Sequence, residues 1–163
     1  MKFRLFEEFT IQTNKSVASV ESIMKNNVEP KLFVDTTWGP SISKDFYGIV
    51  GSDCFEIRPV TWMRNSFIPI IKDKIKDNQV DITMMPNGSV LAFTIVFIAS
   101  CLIFLINSLL ASPSPTVTSF AISIPIIMSV FAYCLMYFAF KYEAKRSKKI
   151  LIGVLGVYYT LSI

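Results

Sequence analysis

The sequence lacks histidine altogether and has only three cysteines, Cys54, Cys101 and Cys134, among its 163 residues. Because histidine is the commonest general base and a common metal ligand, its absence removes the usual chemistry of hydrolases and zinc sites. The cysteines lack the paired spacing of a zinc site, and Cys54 has no histidine that would activate it as a nucleophile. We therefore expect no metal ion, no cofactor and no enzymatic activity.

Charge is missing from residues 82–140, which contain no Asp, Glu, Lys or Arg. Two apolar stretches in this segment, 90–111 and 120–140, each exceed the roughly 18–20 residues that a helix needs to cross about 30 Å of hydrocarbon. Neither stretch has the polar stripe of a helix in a water-soluble protein. The pattern predicts a transmembrane helical hairpin over residues 90–140, with a Ser-Pro loop at 112–119.

The net charge of +4 is concentrated after the hairpin. Residues 1–89 contain eleven basic and eleven acidic side chains, so this part is neutral and lacks the basic field that drives nucleic-acid binding. The excess lies in residues 141–149, where one acidic residue, Glu143, is outnumbered by five basic ones, Lys141, Lys145, Arg146, Lys148 and Lys149.

This basic segment predicts the orientation of the hairpin. Lys and Arg next to a transmembrane helix favour the cytoplasmic side, and the hairpin loop carries no charge. Two crossings return the chain to the side on which it started. We therefore expect a multi-pass membrane protein with both termini in the cytoplasm and the loop at 112–119 outside.

The polar segment 1–89 predicts a small cytoplasmic α+β domain. Alternating apolar and polar residues indicate strands, and Gly51-Ser52-Asp53 is typical of a hairpin turn. Apolar residues near helical spacing follow Asn14 and Ser16, either of which could cap a helix. The elements expected are a helix at 15–27 and strands at 3–12, 32–34, 46–50, 54–57, 67–76 and 79–85. Together they predict an antiparallel sheet with one helix, in which Glu7 is the odd member of an apolar strand face.

Two further patterns complete the architecture. Asp73, Asp77 and Asp81 fall on neighbouring strands and a turn, so we interpret them as a solvated rim and not as a metal site. The segment 141–163 is a basic flank followed by fourteen apolar residues, 150–163. As a helix these would reach about 21 Å, which leaves three alternatives open: an interfacial segment, docking on the domain, or a truncated third span.

Inside the predicted hairpin the polar side chains are uncharged. Transport proteins place charged groups on ion or proton pathways, and this hairpin has none. We expect the polar groups to form hydrogen bonds between the two helices. Since neither helix has a GxxxG pattern, we expect a monomer or a weak dimer. The polar side chains expected to form these hydrogen bonds are Thr94, Ser100, Asn107, Ser123 and Ser129.

The loop that follows the predicted strand at 54–57 holds the candidate binding residues Arg58, Trp62, Arg64 and Asn65. Two guanidinium groups, an indole and an amide suit an anionic ligand or a lipid headgroup. Alternatively, the arginines pair with nearby carboxylates and fasten the loop. We favour the structural role for Arg58 and a surface role for Arg64.

Three short motifs carry a resemblance: Phe46-Tyr47-Gly48, Phe55-Glu56-Ile57-Arg58, and the run from Arg64 to Pro69. In pattern and order, residues 40–145 resemble uncharacterised small bacterial membrane proteins with a strand-rich N-terminal part and two membrane helices. The resemblance implies this architecture and a bacterial inner membrane, and it carries over no functional residue. The chain departs from the pattern at Asp73, where a glycine is expected.

These observations predict a membrane-anchored, non-catalytic binding or regulatory module at the cytoplasmic face of the inner membrane. Its expected partners are the lipid bilayer and another membrane or cytoplasmic protein. The alternative is an oligomeric pore or membrane-perturbing effector, which would require assembly because two helices cannot enclose a channel.

Overall fold

The computed structural model of the protein describes residues 5–30, 44–60, 66–76, 78–110 and 115–156. Over these residues the fold is α+β, as the sequence predicts, with one six-stranded sheet and three helices. The elements are β1 (Glu7–Gln12), α1 (Val17–Asn27), β2 (Val28–Pro30), β3 (Phe46–Val50), β4 (Phe55–Pro59), β5 (Ile70–Lys76), β6 (Gln79–Met85), α2 (Gly88–Leu110) and α3 (Pro115–Leu155). The strand predicted at 32–34 lies outside the described residues.

The sheet has the strand order β1-β6-β5-β4-β3-β2. The predicted hairpins β3–β4 and β5–β6 are confirmed, and β1 closes the sheet by pairing antiparallel with β6. The turn after β3 is held by the amide of Gly51, which donates to the carbonyl of Cys54 at 2.8 Å. The short strand β2, which the sequence analysis did not identify, pairs in parallel with β3.

One face of the sheet carries the hydrophobic core. Alternation along each strand sends every second side chain to this face, so apolar residues of all six strands meet there. Helix α1 covers part of it, and its first turn is capped by Ser16, whose hydroxyl accepts the Ser19 amide. The buried apolar residues from the sheet and α1 are Ile11, Val20, Met24, Val28, Phe46, Phe55, Ile57, Ile71, Ile75, Val80, Ile82 and Met84.

Helix α3 covers the rest of this face. The helix was predicted to end at residue 140, yet it continues unbroken to Leu155. Beyond its apolar half it places one side chain per turn into the core: Phe140, Ala144, Leu151 and Leu155, with Ser147 buried in the same row. Of the three alternatives for the apolar C-terminal run, the structure selects docking on the sheet for residues 150–155.

The C-terminal end of α3 is fixed to the start of α1. Gly156 adopts a left-handed conformation (φ 61°), and its amide donates to the carbonyl of Ile152 at 3.1 Å. The ammonium of Lys15 donates to the carbonyl of Leu155 at 2.6 Å. A glycine in this conformation and a cation at the carbonyl end are the usual means of closing a helix.

Helices α2 and α3 form the predicted hairpin, and both are long and apolar enough to cross a membrane. The prediction that polar side chains form hydrogen bonds between the two helices is wrong for three residues. The hydroxyls of Thr94, Ser100 and Ser129 each donate to a carbonyl four residues earlier in their own helix, at 2.8–2.9 Å. Back-bonding of this kind satisfies a hydroxyl without a partner helix.

Candidate functional site

Arg58 is the one of the four candidate binding residues that lies in the described part of the chain. Trp62, Arg64 and Asn65 lie outside the described residues. Arg58 is half-buried in β4 on the face of the sheet opposite the core, directly across from Tyr47 of β3. We call this side of the sheet the open face, because α1 and α3 pack on the other side.

Two carboxylates that could have paired with the arginines, Glu56 and Glu7, are bound by lysines. Glu56 on β4 pairs with Lys72 on β5, with 3.0 Å between Nζ and Oε2. Glu7 pairs with Lys141 of α3 at 2.8 Å. The structural role that the sequence analysis favoured for Arg58 therefore gains no support from either of these two carboxylates.

A mixed patch surrounds Arg58 on the open face. Tyr47 and Ile49 alternate along β3 and lie opposite Arg58 and Glu56 of β4, and Lys72 follows on β5. Ile49 is 64% exposed, which is high for a large apolar side chain within a strand. Tyrosine, arginine and an aliphatic side chain with a charged border form the composition typical of a protein-binding centre. We refer to these five residues as the Arg58 patch.

Gly48 fixes the backbone beneath the Arg58 patch. It lies between Tyr47 and Ile49 with φ 155°, and a Cβ atom at this position would collide with the carbonyl oxygen of Glu56. The absence of a side chain lets β3 and β4 approach closely here. The relative position of the patch residues therefore depends on this glycine.

The end of the open face near the β5–β6 turn is polar and paired internally. Asp81 accepts hydrogen bonds from Lys76 at 2.6 Å and from the Thr10 hydroxyl at 2.8 Å. These two donors lower the pKa of Asp81 below its usual value, and Lys76 has the larger effect. This end therefore has the character of the solvated rim that the sequence predicts.

Asp73 contradicts the prediction of a solvated rim. It lies on the core face of β5 between Ile71 and Ile75 and is only 8% exposed. Its Oδ1 atom accepts the amide of Phe55 at 2.8 Å, where the β4–β5 ladder is interrupted. Within the described part of the chain, Oδ2 has no hydrogen-bond partner. The third residue of the predicted rim, Asp77, lies outside the described residues.

Burial is the main cause of a raised pKa at Asp73. It raises the pKa to about 7, against the opposing effect of the Phe55 hydrogen bond, and the charge of Asp81 adds to the rise. The carboxyl group can therefore take up a proton near neutral pH. It sits in the packed core, so its protonation acts on the stability of the fold.

No metal centre is formed by the described residues, since no group of three or more His, Cys, Asp or Glu side chains is arranged to hold an ion.

The contact that fastens α3 to β1 was not predicted from the sequence. Lys141 pairs with Glu7, and the Lys148 ammonium lies 4.1 Å from the centre of the Phe9 ring. The available signal was Glu7 on an otherwise apolar strand face.

No protein-family model matches the chain, and neither a curated protein nor a solved structure matches it.

Proposed function

We propose that the protein is a membrane-anchored, non-catalytic binding module whose α2–α3 hairpin crosses the bacterial inner membrane twice. The observation that carries this proposal is helix α3. It carries large, exposed apolar side chains between Ile124 and Phe138, and its last part is built into the core of the sheet domain. One helix thus belongs both to the anchor and to the domain, which fixes the domain directly at the bilayer surface.

The outer surface of the hairpin suits lipid. Large apolar side chains along both helices are more than half exposed, which is costly in water and favourable in hydrocarbon. The 23 residues of α2 rise about 35 Å, enough to cross the hydrocarbon core. Examples of these exposed side chains are Phe93, Ile95, Val96, Leu102, Ile103, Phe104, Ile127, Val130, Phe131 and Phe138.

The charge distribution supports a cytoplasmic position for the domain. Basic residues of α3 lie directly beyond the apolar part of the hairpin, where the positive-inside rule places the cytoplasm. The domain is on the same side because β6 leads into α2 through Pro86 and Asn87 alone. The assignment to a bacterial inner membrane rests on this rule and on the resemblance described above.

The Arg58 patch is the surface that this anchor presents. We infer that a second protein, in the membrane or the cytoplasm, docks there. Such a partner would offer a carboxylate to Arg58 and an apolar side chain to Ile49. A pore is less favoured, because the hydroxyls of Thr94, Ser100 and Ser129 already donate to carbonyls within their own helices.

A photo-cross-linking amino acid at position 49 tests this function in cells of the source organism. We expect one discrete adduct from position 49 that is lost, by at least about tenfold, when Arg58→Ala is added, as removal of an arginine hot spot predicts. The control carries the same cross-linker at Lys25, an exposed position on α1. Equal adducts from both positions, or an adduct indifferent to Arg58→Ala, would contradict the docking role.

A further inference from the structure

The basic residues beyond the apolar part of α3 fall into two sets. Lys141 and Lys148 turn toward the sheet, where Lys141 pairs with Glu7 and Lys148 lies over the Phe9 ring. The second set comprises three exposed side chains, Lys145, Arg146 and Lys149. The first set fastens the helix to the sheet, and the second does not take part in that contact.

The exposed set shares one face of the helix with Tyr142, which is 72% exposed. At 3.6 residues per turn, positions 142, 145, 146 and 149 fall within an arc of about 100°. The side chains that α3 contributes to the core project from the opposite side of the same turns. We call the surface formed by Tyr142, Lys145, Arg146 and Lys149 the basic stripe.

The basic stripe begins two residues after the uncharged part of α3, which ends at Phe140. From Phe140, the last residue of the uncharged segment, Lys145 and Lys149 are about 8 and 14 Å further along the helix axis. The headgroup layer is about 5–8 Å thick on each side, and long basic side chains extend toward it. Electrostatic attraction in physiological salt acts over about 8 Å. The stripe is therefore within reach of lipid headgroups.

We propose that the basic stripe binds anionic lipid headgroups of the cytoplasmic leaflet. This inference rests on the proposed function, because it requires the hairpin to be inserted. Three arguments favour lipid as the occupant: the surface is continuous with the hairpin, its charge is opposite to that of the leaflet, and an exposed tyrosine suits the interface. The stripe thereby sets how the domain, and with it the Arg58 patch, faces the membrane.

Native mass spectrometry of the full chain in mild detergent tests the proposal. Phosphatidylglycerol and phosphatidylcholine with the same acyl chains are titrated separately, and the ratio of their dissociation constants is measured. We expect phosphatidylglycerol to bind at least about tenfold more tightly, and this ratio to fall by at least about fivefold in the triple variant Lys145→Gln, Arg146→Gln, Lys149→Gln. The variant Lys145→Arg, Lys149→Arg keeps the charge and should keep the ratio.

The matched control removes the same charge from exposed lysines of the domain outside both the basic stripe and the Arg58 patch, in Lys25→Gln, Lys74→Gln, Lys76→Gln, and should change the ratio less than about twofold. An unchanged ratio in the stripe variant, or an equal fall in the control, would overturn the lipid site. Alkaline carbonate extraction of cell membranes separates the two proposals. A chain that stays in the membrane but shows no lipid preference defeats the lipid site alone, whereas an extracted chain defeats both.

Discussion

Leu151→Asp is expected to lower the free energy of unfolding of the full chain by about 4 kcal/mol or more. Leu151 is fully buried between α3 and the sheet, so the substitution removes core packing and places an unpaired charge in the apolar interior. Pulse proteolysis across a urea series, in mild detergent, measures the change.

Gly153→Asp is the matched control, because it adds the same charge in the same turn of α3. A Cβ at position 153 meets no atom within 4 Å, and aspartate is a better helix former than glycine. We expect a change of less than about 1 kcal/mol. Equal losses in the two variants would mean that the C-terminal part of α3 does not pack on the sheet.

Asp73→Asn is expected to stabilise the protein at pH 8 and to remove part of its pH dependence. The folded pKa of Asp73 is raised to about 7 from 3.8, so between these values the folded state holds a proton that the unfolded state has released. Stability therefore falls as pH rises from about 4 to about 7. Relative to Asp73→Asn, the natural protein should lose about 4 kcal/mol over this range, since each pKa unit corresponds to about 1.4 kcal/mol.

Asp81→Asn gives a control of opposite sign. The pKa of Asp81 is lowered by its bonds to Lys76 and Thr10, so its contribution is present at neutral pH and is lost as the pH falls through the folded pKa. Asp81→Asn should therefore be slightly destabilising at pH 8, by less than about 1 kcal/mol for a pair at the surface.

The Asp73 prediction is checked by measuring the free energy of unfolding against pH. Parallel profiles for Asp73→Asn and the natural protein would contradict it, because they would show that Asp73 is charged throughout this range.

Local patterns in the sequence predict most of the sheet. Period-two alternation identifies β5 and β6, and the turn residues after β3 fix the β3–β4 hairpin. Both signals are local, because the side-chain period and the turn chemistry are properties of a few adjacent residues. The uncharged segment 82–140 likewise predicts the hairpin from composition alone.

The extension of α3 was harder to predict because two physical signals compete in the same residues. Lys and Arg after an apolar helix are typical of a membrane flank, yet here they alternate with a core-facing row that contains Ala144, Ser147 and Leu151. Small and polar members weaken that row as a hydrophobic signal. The row is buried because it packs against the sheet, and this contact cannot be read from the residues of the helix alone.

The prediction that Asp73 lies in a solvated rim was wrong for a different reason. Its position in the alternation of β5 places it on the core face, whereas its residue type favours solvent. The conflict is resolved at the interruption of the β4–β5 ladder, where its carboxylate accepts the amide of Phe55. That interruption depends on the pairing of two strands, and a single strand's sequence does not contain it. The Arg58 patch likewise forms only across three strands.

The central claim is that the hairpin crosses the membrane and leaves the domain in the cytoplasm. In a variant without Cys54, Cys101 and Cys134, single cysteines are introduced at Ser114, in the predicted outer loop, or at the exposed Lys25 of the domain. A membrane-impermeant maleimide is then applied to intact cells. The account predicts that Ser114→Cys reacts at once and that Lys25→Cys reacts only after permeabilisation; labelling of Lys25→Cys in intact cells would contradict it.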